Sequence, residues 1–413
     1  MINESRLKMI YNKNQKMPKK RKINLVNNKN GEKLYQNKSR LIFNSIIIIF
    51  ILYFGFIIFK LRQKKSQIKL VSELIEKINN SQNFIFDYSN YNNNQNIFNN
   101  ITKNDENFFF GKTQGKLIYC NNYGLIVYDY YSKGNVNEFT ANIGDYIQSL
   151  AALQFLPKNC FPFLVDRDSI RFYHGPKIKL ILNGFFGLSL GNIKVSEQIN
   201  PLFISYHIND STFKNYLDIF NNLKKYQPIG CRDLSTQKKL EREGIEAYFS
   251  GCLTTTLDID YAAKDSERTD EIIFIDYRIG EYSQADNFLL SLKAYNFSKI
   301  IEITHHFNLT NGHLDRFKIA KNLLDRYARA KLVVSTRIHG ALPCLALRTP
   351  VILINHSYDY NRFPGLYELL NTVGKNAEGQ FEIKVNLDKN GLVYNSDKYL
   401  EYANKLKEKL KYI

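Results

Sequence analysis

Five cysteines (Cys120, Cys160, Cys231, Cys252, Cys344) are spread over 413 residues with no CxxC pair and no metal-ligand spacing, which argues against a disulfide scaffold and against a zinc site. A Walker loop and a GxGxxG fingerprint are also missing, so nothing supports nucleotide or dinucleotide use. Acidic residues are scarce relative to basic ones, 39 against 57, for a formal net charge of +18. That excess is local. Residues 1–40 hold about twelve Lys and Arg against two Glu, and residues 60–77 add about +4 more. The rest is only mildly basic and carries no stripe of basic and aromatic residues, which excludes a nucleic-acid groove. At 44% hydrophobic and 23% charged the composition is globular, and the length suffices for two domains with proper cores.

What is present falls into five stretches. Residues 1–40 form a basic arm. Residues 41–59 run without a charge for long enough to cross a bilayer as one helix, too far from the N-terminus for a simple cleaved signal, and read as a signal anchor. The larger basic excess before it favours a cytoplasmic N-terminus, with the remainder across a Golgi-type membrane; a bacterial inner membrane is the alternative. Acceptor sequons at Asn100, Asn209, Asn296, Asn308 and Asn355 would then be available. Residues 60–114 are a stem followed by an Asn-rich linker that cannot build a core.

The folded part follows. Strand-like runs at 116–120, 177–182, 202–206, 229–231, 247–249, 271–276, 299–304, 331–335 and 350–354 alternate with amphipathic helices such as 315–330. Such alternation predicts an α/β fold, two Rossmann-like domains facing a cleft, over 115–258 and 270–413. A last helix at 396–410 is expected to return and brace the first of them. The stretch 331–355 holds the most chemistry. A buried strand breaks at Ser335-Thr336-Arg337-Ile338-His339-Gly340 and resumes as a helix from 341 to 347, with Pro343 expected in its first turn. Ligands bind at such junctions because a helix N-terminus offers unpaired N–H groups and partial positive charge. Arg337 is a fixed cation there and His339 a titratable group. His305, His306 and His313 match no common metal spacing, and no metal is expected.

Three stretches resemble the polysaccharide pyruvyl transferase family. They are Asn142-Ile143-Gly144-Asp145-Tyr146; Gly230-Cys231-Arg232-Asp233 with Ser250-Gly251-Cys252-Leu253-Thr254; and Arg337-Ile338-His339-Gly340, where the family's usual Leu is Ile338. Order and spacing agree over about residues 115–370. The resemblance implies a GT-B-like fold, phosphoenolpyruvate as donor without any cofactor, and a glycan or polysaccharide acceptor that receives a pyruvate ketal. It implies donor contacts from Arg232, Arg337 and Gly340, with the two arginines reaching one ligand from separate halves. His339 is then the general acid or phosphate partner. Asp145 orients or deprotonates an acceptor hydroxyl, or else caps its helix. Asn142, Asp166, Asp168 and Thr254 fall on the acceptor side, although Asp166-Arg167-Asp168 also reads as a solvated turn and Thr254 as the end of a strand. A sugar-nucleotide glycosyltransferase and a catalytically silent glycan-binding homologue are the alternatives.

Overall fold

The computed structural model describes residues 118–129, 140–186, 194–208, 218–261, 267–308, 312–357 and 362–411, together with positions 263 and 359. The anchor expected at 41–59 and the stem and linker lie outside these. Among the described residues no helix is long and apolar enough to cross a membrane.

The first half is a six-stranded sheet in the order β3-β1-β4-β5-β6-β7, every neighbouring pair parallel. Its strands are β1 (Ile118–Val127), β3 (Cys160–Asp166), β4 (Ile178–Phe186), β5 (Ile199–Ile208), β6 (Ile229–Cys231) and β7 (Ala247–Phe249). The second half is another six-stranded sheet, β14-β13-β12-β11-β8-β9, parallel except for the edge strand β14. It comprises β8 (Ile272–Ile275), β9 (Ile300–Ile303), β11 (Leu332–Ser335), β12 (Val351–Asn355), β13 (Asn371–Lys375) and β14 (Phe381–Lys384). Strands β8, β11 and β12 are buried along their whole length, as continuous Ile, Leu and Val runs must be when helices cover both faces of a parallel sheet.

Eight helices occur among the described residues: α1 (Ile143–Leu153), α2 (Asp218–Leu223), α3 (Leu234–Arg242), α4 (Asp258–Tyr261), α5 (Ser283–Ser291), α6 (His313–Arg329), α7 (Ile338–Ala346) and α8 (Lys398–Leu410). Almost every side chain of α1 is buried, because the helix lies between the first sheet and α6 of the second half. Tyr146 of α1 meets Phe317 of α6 edge to face, ring centroids 5.1 Å apart, and burying such rings contributes about 1.5–3 kcal/mol each. The halves are also stitched by backbone. Strand β2 (Thr140–Asn142) pairs antiparallel with β10 (His306–Asn308), and the Ile143 N–H donates to the His305 carbonyl at 2.8 Å. Helix α8 crosses back to the 3-10 turn Leu253–Thr256, where Tyr402 packs edge to face on Phe249 and Lys407 pairs with Asp258.

Two expectations change here. Cys120 and Cys160, 40 residues apart in sequence, form a disulfide between the neighbouring strands β1 and β3, which spacing without a CxxC pair gave no way to see. Cys231, Cys252 and Cys344 are free and buried. Helix α7 begins three residues earlier than its apolar run suggested. A turn closed by Ser335, whose Oγ accepts the Arg337 N–H at 2.9 Å, starts it at Ile338, so Pro343 lies inside the helix rather than in its first turn. Proline has no N–H, and the carbonyl four residues back, that of His339, therefore receives no helical bond from it.

Candidate active site

Parallel strands of both halves deliver their polar residues at their carboxyl ends. Strand β5 ends in Tyr206-His207-Ile208, β6 is followed at once by Arg232-Asp233, and β11 by the turn into His339. The loop entering α1 joins them. A side chain added at Gly144 would place its Cβ 2.9 Å from the Cβ of His339 and 3.4 Å from Nδ1 of His305, so only glycine lets the first half pack this closely on the second.

His339 is buried, with Nε2 left without a hydrogen-bond partner. Burial pulls its pKa well below the usual 6.5, and the charges of Arg232, Arg362, His305 and His207 add to that effect. Arg232 is 1% exposed, and both Nε and Nη2 lack partners. Burial and then Arg362 lower its pKa, against the raising effect of the Asp233 carboxylate. His207, also fully buried, holds Asp233 Oδ2 at 2.6 Å through Nδ1 and has a bare Nε2. Desolvation, followed by Arg232, brings it down to about 4. His305 bonds Tyr327 through Nε2 at 2.8 Å, its Nδ1 has no partner, and burial lowers it to about 4 as well. The result is a buried cluster of a guanidinium and neutral imidazoles with several polar atoms that have no partner.

Of the residues expected from sequence, Arg232 and His339 both belong to this cluster, near enough for the guanidinium charge to act on the imidazole. Asp145 lies at its edge, close enough for its charge to act on Arg232 and Arg167, with Oδ1 accepting from Gln148 at 3.2 Å. It does not cap α1. That cap is Asn142, whose Oδ1 accepts the Gly144 N–H at 3.0 Å, so Asn142 shapes the loop rather than standing open to an acceptor.

Arg337 is paired within its own half, and its charge acts on His305. Its Nε donates to Asp276 Oδ2 at 2.8 Å and its Nη2 to His306 Nε2, so the second guanidinium whose charge reaches His339 is Arg362 instead. Burial pushes Asp276 upward, but hydrogen bonds from Thr304 and Arg337 outweigh it and hold the carboxyl low. Gly340 makes a packing contact: its amide donates to the Arg337 carbonyl at 3.0 Å, and a Cβ there would lie 2.5 Å from Ser335 Oγ.

In the Asp166-Arg167-Asp168 turn Arg167 and Asp168 are buried and Asp166 half-buried, so the turn is not a solvated one. Arg167 donates Nε and Nη2 to the two oxygens of Asp168 at 2.9 and 3.2 Å, a two-pronged pair that engages both of them. Asp166 accepts the Asp129 N–H, and burial with the nearby Asp129 and Asp168 charges raises it to about 6. Thr254 belongs to the 3-10 turn between the halves, is 0% exposed, and meets Cys252 at 3.2 Å; it reaches no open surface. His306 contacts Arg337, and His313 bonds Tyr146 through Nδ1 and Asp129 through Nε2. His207 and Arg362 were missed, and His305 was weighed only as a metal ligand. A histidine ending the otherwise apolar strand β5 was the one readable signal.

Unpaired guanidinium and imidazole nitrogens are costly to bury, and a fold retains them where they meet a ligand; such a pocket at parallel strand ends belongs to an α/β enzyme. The profile of the polysaccharide pyruvyl transferase family matches residues 142–358, just over half of the chain, and the chain belongs to that family of transferases. Among solved structures, a functionally uncharacterised protein from Klebsiella pneumoniae is 17% identical, with 62% of this chain and 94% of that one covered and a TM-score of 0.37. No curated protein matches the chain.

Proposed function

We propose that the chain transfers the pyruvyl group of phosphoenolpyruvate to a sugar of a glycan or polysaccharide as a ketal, across a GT-B-like pair of lobes with acceptor on the first and donor on the second. The observation that carries this reading is the buried Arg232, with two unused nitrogens, beside a neutral His339. Phosphoenolpyruvate puts a phosphate and a carboxylate on three carbons, and a desolvated guanidinium is matched to either. Its negative charge offsets Arg232 and Arg362, which removes their hold on His339 and lets that imidazole carry a proton brought in with the donor. His339 then protonates the methylene carbon. A sugar hydroxyl attacks C2, phosphate leaves, and a second hydroxyl closes the ketal and returns a proton to His339. Asp145, at the pocket edge, orients the acceptor. Arg337, locked to Asp276, supports the donor from outside the pocket.

With the full chain, phosphoenolpyruvate raises the melting temperature and sugar nucleotides do not, and phosphate is released only with a galactose- or hexosamine-type acceptor present. A shift with sugar nucleotides alone would point to glycosyl transfer instead.

The reading extends to location: a membrane anchor at 41–59 with the transferase part in an oxidising lumen, which the Cys120–Cys160 disulfide suits. Asn296 is exposed and Asn355 is 8% exposed with Nδ2 bonded to the Lys375 carbonyl, so only the former suits a glycan. Endoglycosidase treatment lowers the mass of the cellular protein, and Asn296→Gln removes part of that difference. An unchanged mass would argue for the cytosolic side.

A further inference from the structure

We propose that His207 is a second proton-handling catalytic residue, the base that accepts the proton of the attacking sugar hydroxyl at Nε2, with Asp233 and Thr236 as its positioning partners. This rests on the pyruvyl-transfer reading above.

The geometry fixes which nitrogen is free. Nδ1 lies 2.6 Å from Asp233 Oδ2 and 3.1 Å from Thr236 Oγ1. A carboxylate only accepts, so in the neutral ring Nδ1 carries the hydrogen and Nε2 is left as a lone pair. Asp233 is itself held: its Oδ1 accepts the Thr236 N–H at 2.8 Å as the cap of α3, and the Thr236 hydroxyl donates to Oδ2 at 3.2 Å. The base is thus oriented by a third group that cannot swing away, the arrangement that activates an imidazole. Nε2 is buried without a partner, although an unsatisfied buried acceptor is costly to keep. Arg232 directly precedes Asp233, so one strand end sets both the anion-binding guanidinium and the carboxylate behind the base.

Ketal formation also needs a second proton carrier. Two hydroxyl protons leave the sugar; one replaces the proton given to the methylene carbon, and the other ends on phosphate. His339 serves the first exchange. For the second, the hydroxyl O–H breaks as the O–C2 bond forms, its proton moves to His207 Nε2, and the imidazolium, paired with Asp233, returns it to phosphate as the C2–O bond breaks. Atoms and charge balance without an oxidant or reductant.

His207→Asn tests this in the full chain, because the shorter amide keeps a donor toward Asp233 and deletes the position of Nε2. With phosphoenolpyruvate and an active acceptor, kcat is expected to fall about 100-fold or more, KM for phosphoenolpyruvate to stay within about threefold, and the acid limb of the pH profile to disappear. A folded variant within about fivefold of wild-type kcat overturns the role of His207 alone. Silence of the wild type with every acceptor overturns the transfer reading, and this role with it. Should His207→Asn not fold, nitrogen-15 spectra of the wild type decide: a proton on Nδ1 supports the assignment, and one on Nε2 overturns it.

Discussion

Replacing Arg232 by methionine abolishes phosphate release from phosphoenolpyruvate, by at least about a thousandfold, while leaving the protein as heat-stable as before or more so. Two opposing facts produce this. Arg232 is 1% exposed, and Nε and Nη2 meet no acceptor, so the folded chain carries a desolvated cation that Asp233 compensates only in part. Removing one partner of a well-matched buried pair is destabilising; removing an under-paired charge and filling its volume with an apolar chain of similar length is neutral or favourable, by as much as about 1–4 kcal/mol. The same nitrogens are what a phosphate or carboxylate would use. Melting curves with and without phosphoenolpyruvate check both sides: the wild type gains stability from the ligand, and Arg232→Met shows none of that gain at a ligand-free temperature no lower than wild type. A large drop in ligand-free stability would mean Arg232 is a structural pillar and would remove the main support for the anion site. His207 is expected to respond as well, because Arg232 is the largest charge acting against its protonation.

The sheets were legible because parallel strands buried on both faces must be written as unbroken apolar runs. The runs at 229–231 and 247–249 coincide with β6 and β7, and the others differ from their strands mostly at the ends. Strand β3 was not expected, since Cys160-Phe161-Pro162-Phe163 contains a proline and follows a turn, and neither feature marks a central strand; β3 is in fact the edge of its sheet, where proline is tolerated. Arg232 and His339 were legible as members of short motifs at strand-to-helix junctions. What those junctions do not encode is which side chain is already taken. Asp276, Asp168 and the Asn142 cap claim Arg337, Arg167 and a backbone amide through contacts between distant positions, and spacing along the chain carries no trace of them. Arg362 reaches the site from a loop with no motif at all.

The stability of the fold is expected to drop steeply between neutral and mildly acid pH, with the melting temperature falling by roughly 10 °C from pH 7 to pH 5. Burial brings His207 and His305 down to about 4 in the folded chain against 6.5 when exposed, and burial with the Arg232 charge holds His339 well below 6.5 too. A basic group whose pKa is lower folded than unfolded binds more protons in the unfolded chain between those two values. The unfolded state is therefore favoured as pH falls from about 6.5 toward 4, by on the order of 3 kcal/mol for each of His207 and His305 once the whole window is crossed, with His339 acting in the same direction. Asp166 acts with the opposite sign. Its carboxyl, raised by burial to about 6, takes up a proton in the folded state first, so it adds stability as pH falls through that value. Asp325, also raised by burial, acts in the same sense as Asp166, but three histidines against two carboxyls leave the acid-labile direction dominant. Bound phosphoenolpyruvate lessens the slope, because negative charge in the pocket lets His339 and His207 accept protons without unfolding, so the ligand stabilises more at pH 6 than at pH 8. Melting temperatures measured from pH 5 to 8, with and without phosphoenolpyruvate, test this directly, and His339→Gln removes one imidazole and flattens the ligand-free curve. A melting temperature level across that range would show that these rings titrate in the folded protein as they do when exposed, and the site would then gain positive charge below about pH 6.5 instead of staying neutral at its histidines.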